Sequence, residues 1–172
     1  MLGEPISLLV SASLFGLFGV SWEAIDARIE NEFPQVPFIS QEDLASRLAG
    51  SQPGGVKNDI PALVDVRAAD EFRVSHLPGA ENLITAAAIA AAYPDRDAPV
   101  VVYCSVGYRS AAVAAELVSL GYDQVFNLRH SIFAWANADR PLVNAAGPTD
   151  KAHPYNFVWG RLLDASRRQY QP

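Results

Sequence analysis

The sequence predicts an α/β fold: a parallel sheet covered by helices on both faces. Short, mostly apolar runs at 62–66, 100–103 and 124–128 have the length and composition of strands buried on both sides. Between them lie segments with helical spacing and recognisable start and stop residues. A chain of 172 residues, half of them hydrophobic, can bury one sizeable core.

Taken in order, Trp22, Ile25, Ile29 and Phe33 recur at helical spacing among Glu23, Asp26, Arg28 and Glu30, so residues 22–35 read as an amphipathic helix that Pro34 ends. A short strand is expected at 37–39. Ser40 with Asp43 three residues on then caps a helix over 41–49, and 51–59 is a polar Gly/Pro-rich loop. After the strand at 62–66 come a short helix at 69–74, a turn at Leu77-Pro78-Gly79-Ala80 and a strand at 82–84. Thr85 caps an alanine-rich helix that Pro94 stops. The strand at 100–103 is central. A helix at 111–120 ends on Gly121, and a strand at 124–128 and a helix at 132–138 complete the core.

The only cysteine, Cys104, stands where the central strand breaks into Ser105-Val106-Gly107-Tyr108-Arg109, with a helix expected from Ser110. That position puts a thiol among backbone N–H groups at a helix N-terminus, where anions are stabilised and a cysteine becomes nucleophilic at neutral pH. An inert buried cysteine accounts for the apolar strand but not for the turn after it. Gly107 permits the positive φ such a turn needs.

The stretch 100–142, VVVYCSVGYRSAAVAAELVSLGYDQVFNLRHSIFAWANADRPL, resembles the active-site half of rhodanese-like sulfurtransferase domains. Upstream, ALVDVRAADEFRVSHLPGAENL at 62–83 is similar to the other signature of that family, and the resemblance extends over about 36–142. It implies a five-stranded parallel sheet in the order 1-5-4-2-3, with Cys104 carrying sulfane sulfur as a persulfide. The sulfur would pass from a donor such as thiosulfate to a thiol or cyanide acceptor. The four residues between Cys104 and Arg109 suit a thiolate bearing one extra sulfur. Related phosphatases and arsenate reductases use a longer C-x5-R loop.

Substrate contacts are expected from Ser105, Val106, Gly107, Tyr108 and Arg109, with Arg67 and His130 at the rim; no metal or cofactor is implied. Arg109 either adds positive charge or braces the loop by pairing with Asp65, Glu71 or Glu116. Arg67 is similarly divided between bracing Glu71 and lining the anion approach. His76 reads as a hydrogen-bonded turn residue. Two departures from the family pattern stand out: Ser105 occupies a position that is often Arg, and His130-Ser131 replaces a usual Gly-Gly. The first removes a cation and puts efficient use of thiosulfate in doubt; the second brings a titratable ring to the expected rim.

The net charge of −6, with scattered Lys and Arg, argues against a nucleic-acid partner. One cysteine excludes an internal disulfide and a thiolate-rich zinc site. The expected partners are a small-molecule sulfur donor and a thiol acceptor. An alternative of another class is a non-catalytic persulfide or redox-sensing module that docks on a partner. Residues 1–21 form an apolar N-terminal segment. The run at 6–20 suits a signal-peptide core or a membrane anchor, but Glu4 and the lack of Lys or Arg before it tilt the reading slightly towards the cytoplasm. The domain proper is 36–142. Residues 143–172 are an extension whose His153-Pro154-Tyr155-Asn156…Trp159-Gly160-Arg161-Leu162-Leu163 is similar to one found on some bacterial single-domain rhodaneses. Tyr155, Val158, Trp159, Leu162 and Leu163 form a helical stripe expected to pack on the 22–33 helix.

Overall fold

The computed structural model describes residues 20–50 and 60–172. The apolar run at 6–20, Val20 apart, and the loop at 51–59 lie outside the described residues.

Helix α1 (Trp22–Glu32) starts on Ser21, whose Oγ accepts the Ala24 N–H at 3.2 Å. Strand β1 (Phe38–Ile39) leads into α2 (Gln41–Leu48), where Ser40 Oγ accepts the Asp43 N–H. Strand β2 (Ala62–Asp65), α3 (Ala69–Val74), β3 (Glu81–Asn82) and α4 (Ala86–Ala92) follow. Then come β4 (Val100–Tyr103), α5 (Tyr108–Ser119), β5 (Val125–Leu128) and α6 (Ser131–Asn137). The five strands are parallel in the order β1-β5-β4-β2-β3.

Side chains alternate across β4 and divide the core in two. Val101 and Tyr103 join Ile25 and Ile29 of α1, Leu44 of α2 and Ile132 and Phe133 of α6 on one face. Val100, Val102 and Cys104 join Ile89 of α4 and Ala114 and Leu117 of α5 on the other. All four residues of β4 are buried, as an inner strand of a doubly covered sheet requires.

Three boundaries differ from the sequence expectation. Helix α5 begins at Tyr108 because Gly107, at φ 109°, serves as its left-handed cap. Strand β3 lies one residue earlier, set by parallel pairing of Glu81 and Asn82 with Val64 and Asp65. The extension is not an α-helix. It contains an antiparallel hairpin, β6 (Leu142–Asn144) with β7 (Gly147–Thr149), and two 3-10 turns, Trp159–Leu162 and Ala165–Arg167.

The motif residues explain the tight winding. Asn156 Oδ1 accepts the N–H groups of Val158 and Trp159, each at 3.0 Å, and its carbonyl accepts that of Gly160. Gly160 lies so close to Pro154 that an added Cβ would stand 2.9 Å from the proline Cβ. Leu163 then enters the α1–α6 face of the core, with Trp159 and Leu162 partly buried against it. Asn137 of α6 anchors the segment, donating to Leu162 O and accepting the Asp164 N–H, both at 2.9 Å.

Candidate active site

The carboxyl end of β4 delivers Cys104 into a loop pinned from two directions. Residues ahead of and within α6 hold its start: the Cys104 N–H donates to Ser131 Oγ at 3.1 Å, and the Cys104 and Ser105 carbonyls accept the N–H groups of Ile132 and Phe133. Those donors are orphan groups of the first turn of α6, so loop and helix satisfy one another. His130 and Ser131 carry φ of 59° and 48°. A Gly-Gly pair would adopt this left-handed course without strain, which gives the expected glycines a physical reason. Here side-chain contacts offset the strain: Ser131 Oγ donates to Leu128 O, and the His130 ring stacks on Trp22.

The far end of the loop is fixed by β5 and α5. Gly107 turns its N–H onto Cys104 Sγ at 3.2 Å, while its carbonyl accepts Asn127 Nδ2 at 2.9 Å. Ser110 Oγ donates to Asn127 Oδ1 at 2.7 Å. Asn127 and Ser110 are fully buried. They fix the Gly107 carbonyl, on the peptide next to the one whose N–H meets the sulfur.

A third set of contacts braces the middle. Arg109 forms a bidentate pair with Glu71 at 2.8 and 2.9 Å and donates to Ser105 Oγ at 2.9 Å; Ser105 in turn donates to Glu71. Of the partners the sequence offered for Arg109, the fold selects Glu71. Burial raises the Glu71 carboxyl, but the hydrogen bonds and charge of Arg109 outweigh it and hold the group below its ordinary value. The Cys104 thiol follows the same pattern. Burial pushes it up, while the Arg109 charge, the Ser110 hydroxyl and N–H and the Gly107 N–H bring it below the ordinary thiol value.

Cys104 opens into a cavity of about 110 Å³. Its walls are Cys104, Ser105, Val106, Tyr108 and Arg109 from the loop, with Tyr155 and Trp159 from the extension. Tyr155 lays its ring against Arg109, 4.4 Å from the guanidinium carbon.

Arg67 and His130 are not in these walls. Arg67 is fully buried, clamps Asp65 through Nε and Nη2, and donates to Ser75 O at 2.6 Å. Asn82 Nδ2 donates to the carbonyls of Asp65 and Arg67, and Tyr103 Oη accepts the Leu77 N–H. Apart from Glu71, which braces the Cys104 loop, the upstream signature is therefore scaffold that fixes the end of β2 and the Leu77–Ala80 turn. His130 directs Nε2 to Asp26 Oδ2 at 3.1 Å, where Arg129 also pairs. Its left-handed backbone turns the ring towards α1, away from the cavity. His76 places Nδ1 3.0 Å from Phe72 O and pairs its backbone with Val143.

Sequence reasoning places Ser131 with His130 at the rim, whereas its hydroxyl pins the Cys104 N–H; it does not assign Ser110, Asn127, Tyr155 or Trp159 to the site. A polar residue inside an apolar strand, Asn127 between Phe126 and Leu128, was the readable signal. Among the described residues, no group of three or more His, Cys, Asp or Glu side chains is gathered where it could hold a metal ion.

The Rhodanese-like domain model matches residues 40–138. A sulfurtransferase of Allochromatium vinosum is 36% identical over 110 residues, covering 63% of this chain and 96% of that protein. The thiosulfate sulfurtransferase GlpE of Pseudomonas aeruginosa is 33% identical over 96 residues, covering 54% and 86%. A crystal structure of thiosulfate sulfurtransferase from Pseudomonas aeruginosa superposes with a TM-score of 0.58 at 23% identity. It is matched over 72% of this chain but only 23% of its own length, so this likeness speaks to the fold alone. A domain match over more than half of the chain, relatives named sulfurtransferases, and the 1-5-4-2-3 parallel sheet agree: the chain belongs to the rhodanese-like domain family.

Proposed function

We propose that this protein is a sulfurtransferase that carries sulfane sulfur as a persulfide on Cys104. The observation that carries the reading is the Cys104 thiol itself. It is buried, yet held below its ordinary pKa by Arg109, Ser110 and the Gly107 N–H, and it opens into a cavity. A buried thiol in apolar surroundings is otherwise pushed up and inert, so this environment favours a nucleophile.

The Cys104 thiolate attacks the outer sulfur of a donor such as thiosulfate. The new S–S bond forms as the donor's own S–S bond breaks, and sulfite leaves with the electron pair. The terminal sulfur of the persulfide keeps the negative charge, in the field of Arg109 and at the N-terminus of the 12-residue helix α5. A thiolate or cyanide acceptor then attacks that sulfur and returns the Cys104 thiolate. The same N–H groups serve both charged states, so little reorganisation accompanies either step. The six-residue loop from Cys104 to Arg109 is drawn tight by Glu71 and Asn127, and it favours one added sulfur over a bound tetrahedral oxyanion.

Intact-mass measurement after incubation with thiosulfate tests the reading. Wild type gains one sulfur and Cys104→Ala gains none; a wild type that gains none with any sulfane donor refutes it.

A further inference from the structure

The extension after residue 138 lies outside the family match, yet it supplies two walls of the Cys104 cavity. It is held there by its own hydrogen bonds. His153 Nδ1 accepts the Tyr155 N–H at 3.0 Å, turning Tyr155 to φ 63°, and Asn156 winds the turn that places Trp159. Tyr155 faces Arg109 while remaining 44% exposed, so its position is set by this turn and not by burial. A left-handed tyrosine is strained, and strain of that kind persists where surrounding contacts fix it.

The charge around the cavity gives this placement a meaning. Arg109 is the one cationic side chain in its walls, among the described residues, and it is already engaged in a bidentate pair with Glu71; Arg28, which stacks on the wall residue Tyr108, pairs with Glu32. Arg67 is bound to Asp65, and His130 and Arg129 face Asp26. Burial holds His153 below its ordinary pKa, which keeps it uncharged at neutral pH. A dianionic donor would therefore approach a thiolate across a surface with no net positive charge. What lines it instead is the aromatic carbon of Tyr155, Trp159 and Tyr108.

Resting on the sulfurtransferase reading, the geometry points to Tyr155 and Trp159 as specificity-determining residues that select a sulfane sulfur on an aromatic carrier of no more than one negative charge. The chemistry is unchanged: thiolate attacks the terminal sulfur, that sulfur's bond to the carrier breaks, and the carrier leaves with the electron pair.

Benzenethiosulfonate, a monoanion that releases benzenesulfinate, is the probe, compared with thiosulfate, cyanide being the acceptor. The readout is the ratio of kcat/KM for the two donors in wild type, Tyr155→Leu and Trp159→Leu. Intrinsic donor reactivity cancels when variant and wild type are compared. Each leucine variant is expected to lower the aryl-to-thiosulfate ratio about tenfold, the scale of one lost aromatic contact, while Tyr155→Phe keeps it. Thermal melts establish that the variants are folded; Tyr155 is exposed enough that its loss leaves no core void. Ratios within twofold of wild type in both leucine variants overturn the inference and leave sulfur transfer standing. Absence of a persulfide mass on wild type with either donor overturns both.

Discussion

Replacing Arg109 by alanine should damage stability and thiol reactivity together, and the two effects have separate sizes. Glu71 is almost buried, with 5% of its side chain exposed, and Arg109 supplies two of its hydrogen bonds. Removing one partner of a fully buried ion pair costs about 3–5 kcal/mol. Arg109 is 34% exposed, so water screens the pair and can enter the space it leaves. A discounted cost of about 2–3 kcal/mol is expected, or a fall in Tm of roughly 5–10 °C for a chain of this size.

The pH dependence has a fixed sign. The folded Glu71 carboxyl lies below its ordinary 4.5, so its contribution is fully present above that value and is lost as pH falls through the lower folded pKa. In Arg109→Ala burial is left with fewer opponents, the carboxyl rises, and the acid loss begins at higher pH. The Cys104 thiol loses its nearest cation in the same variant, so the midpoint of iodoacetamide alkylation against pH should move up from its wild-type position below 9.0. Thermal melts from pH 3 to 8 and the alkylation profile are the assays. A Tm within 1 °C of wild type with an unmoved alkylation midpoint would refute the brace.

Cys104→Ser should abolish sulfur gain by mass and leave the fold intact, with a stability change of about 1 kcal/mol or less, because the substitution is nearly isosteric; thiosulfate turnover above background would contradict the sulfur-carrier role. Asn127→Ala strips the Gly107 carbonyl and the Ser110 hydroxyl of a buried partner, and should cost about 1–3 kcal/mol in urea denaturation while raising the alkylation midpoint. Gly107→Ala meets a φ of 109°, and an added Cβ would sit 3.4 Å from Ile29 Cδ1. A loss of about 1–3 kcal/mol is expected from backbone strain, with slower sulfur loading; a variant that melts and loads like wild type would show that the loop relaxes freely.

Local chemistry made much of the architecture readable. Ser40 and Thr85 cap the helices they were expected to cap, because an N-cap is a contact between residues three apart. The runs at 62–65, 100–103 and 125–128 are strands, because a short, mostly apolar run such as Val100–Tyr103 needs cover on both faces, and the two polar residues among them, Asp65 and Asn127, are buried with partners. Helix α5 begins earlier than its apolar spacing suggests, because the left-handed φ of Gly107 makes it the helix cap as well as part of the turn. The helical stripe in the extension folds as 3-10 turns wound by Asn156 and Pro154, because apolar spacing alone does not separate these from an α-helix.

The sequence by itself determined the parallel α/β fold, the place of Cys104 at a strand end and the four-residue gap to Arg109. Each follows from composition, period or spacing within a short window. Only the tertiary structure decided that Arg109 pairs with Glu71, 38 residues away, and that Asn127 holds the Gly107 peptide from 20 residues away. It also decided that Arg67 is consumed by Asp65, that His130 turns to Asp26, and that Tyr155 and Trp159 come back to wall the thiol. The reason is physical. A charged or polar side chain takes the best partner within reach after the sheet is assembled, and reach is a property of strand order and loop course that no local window contains.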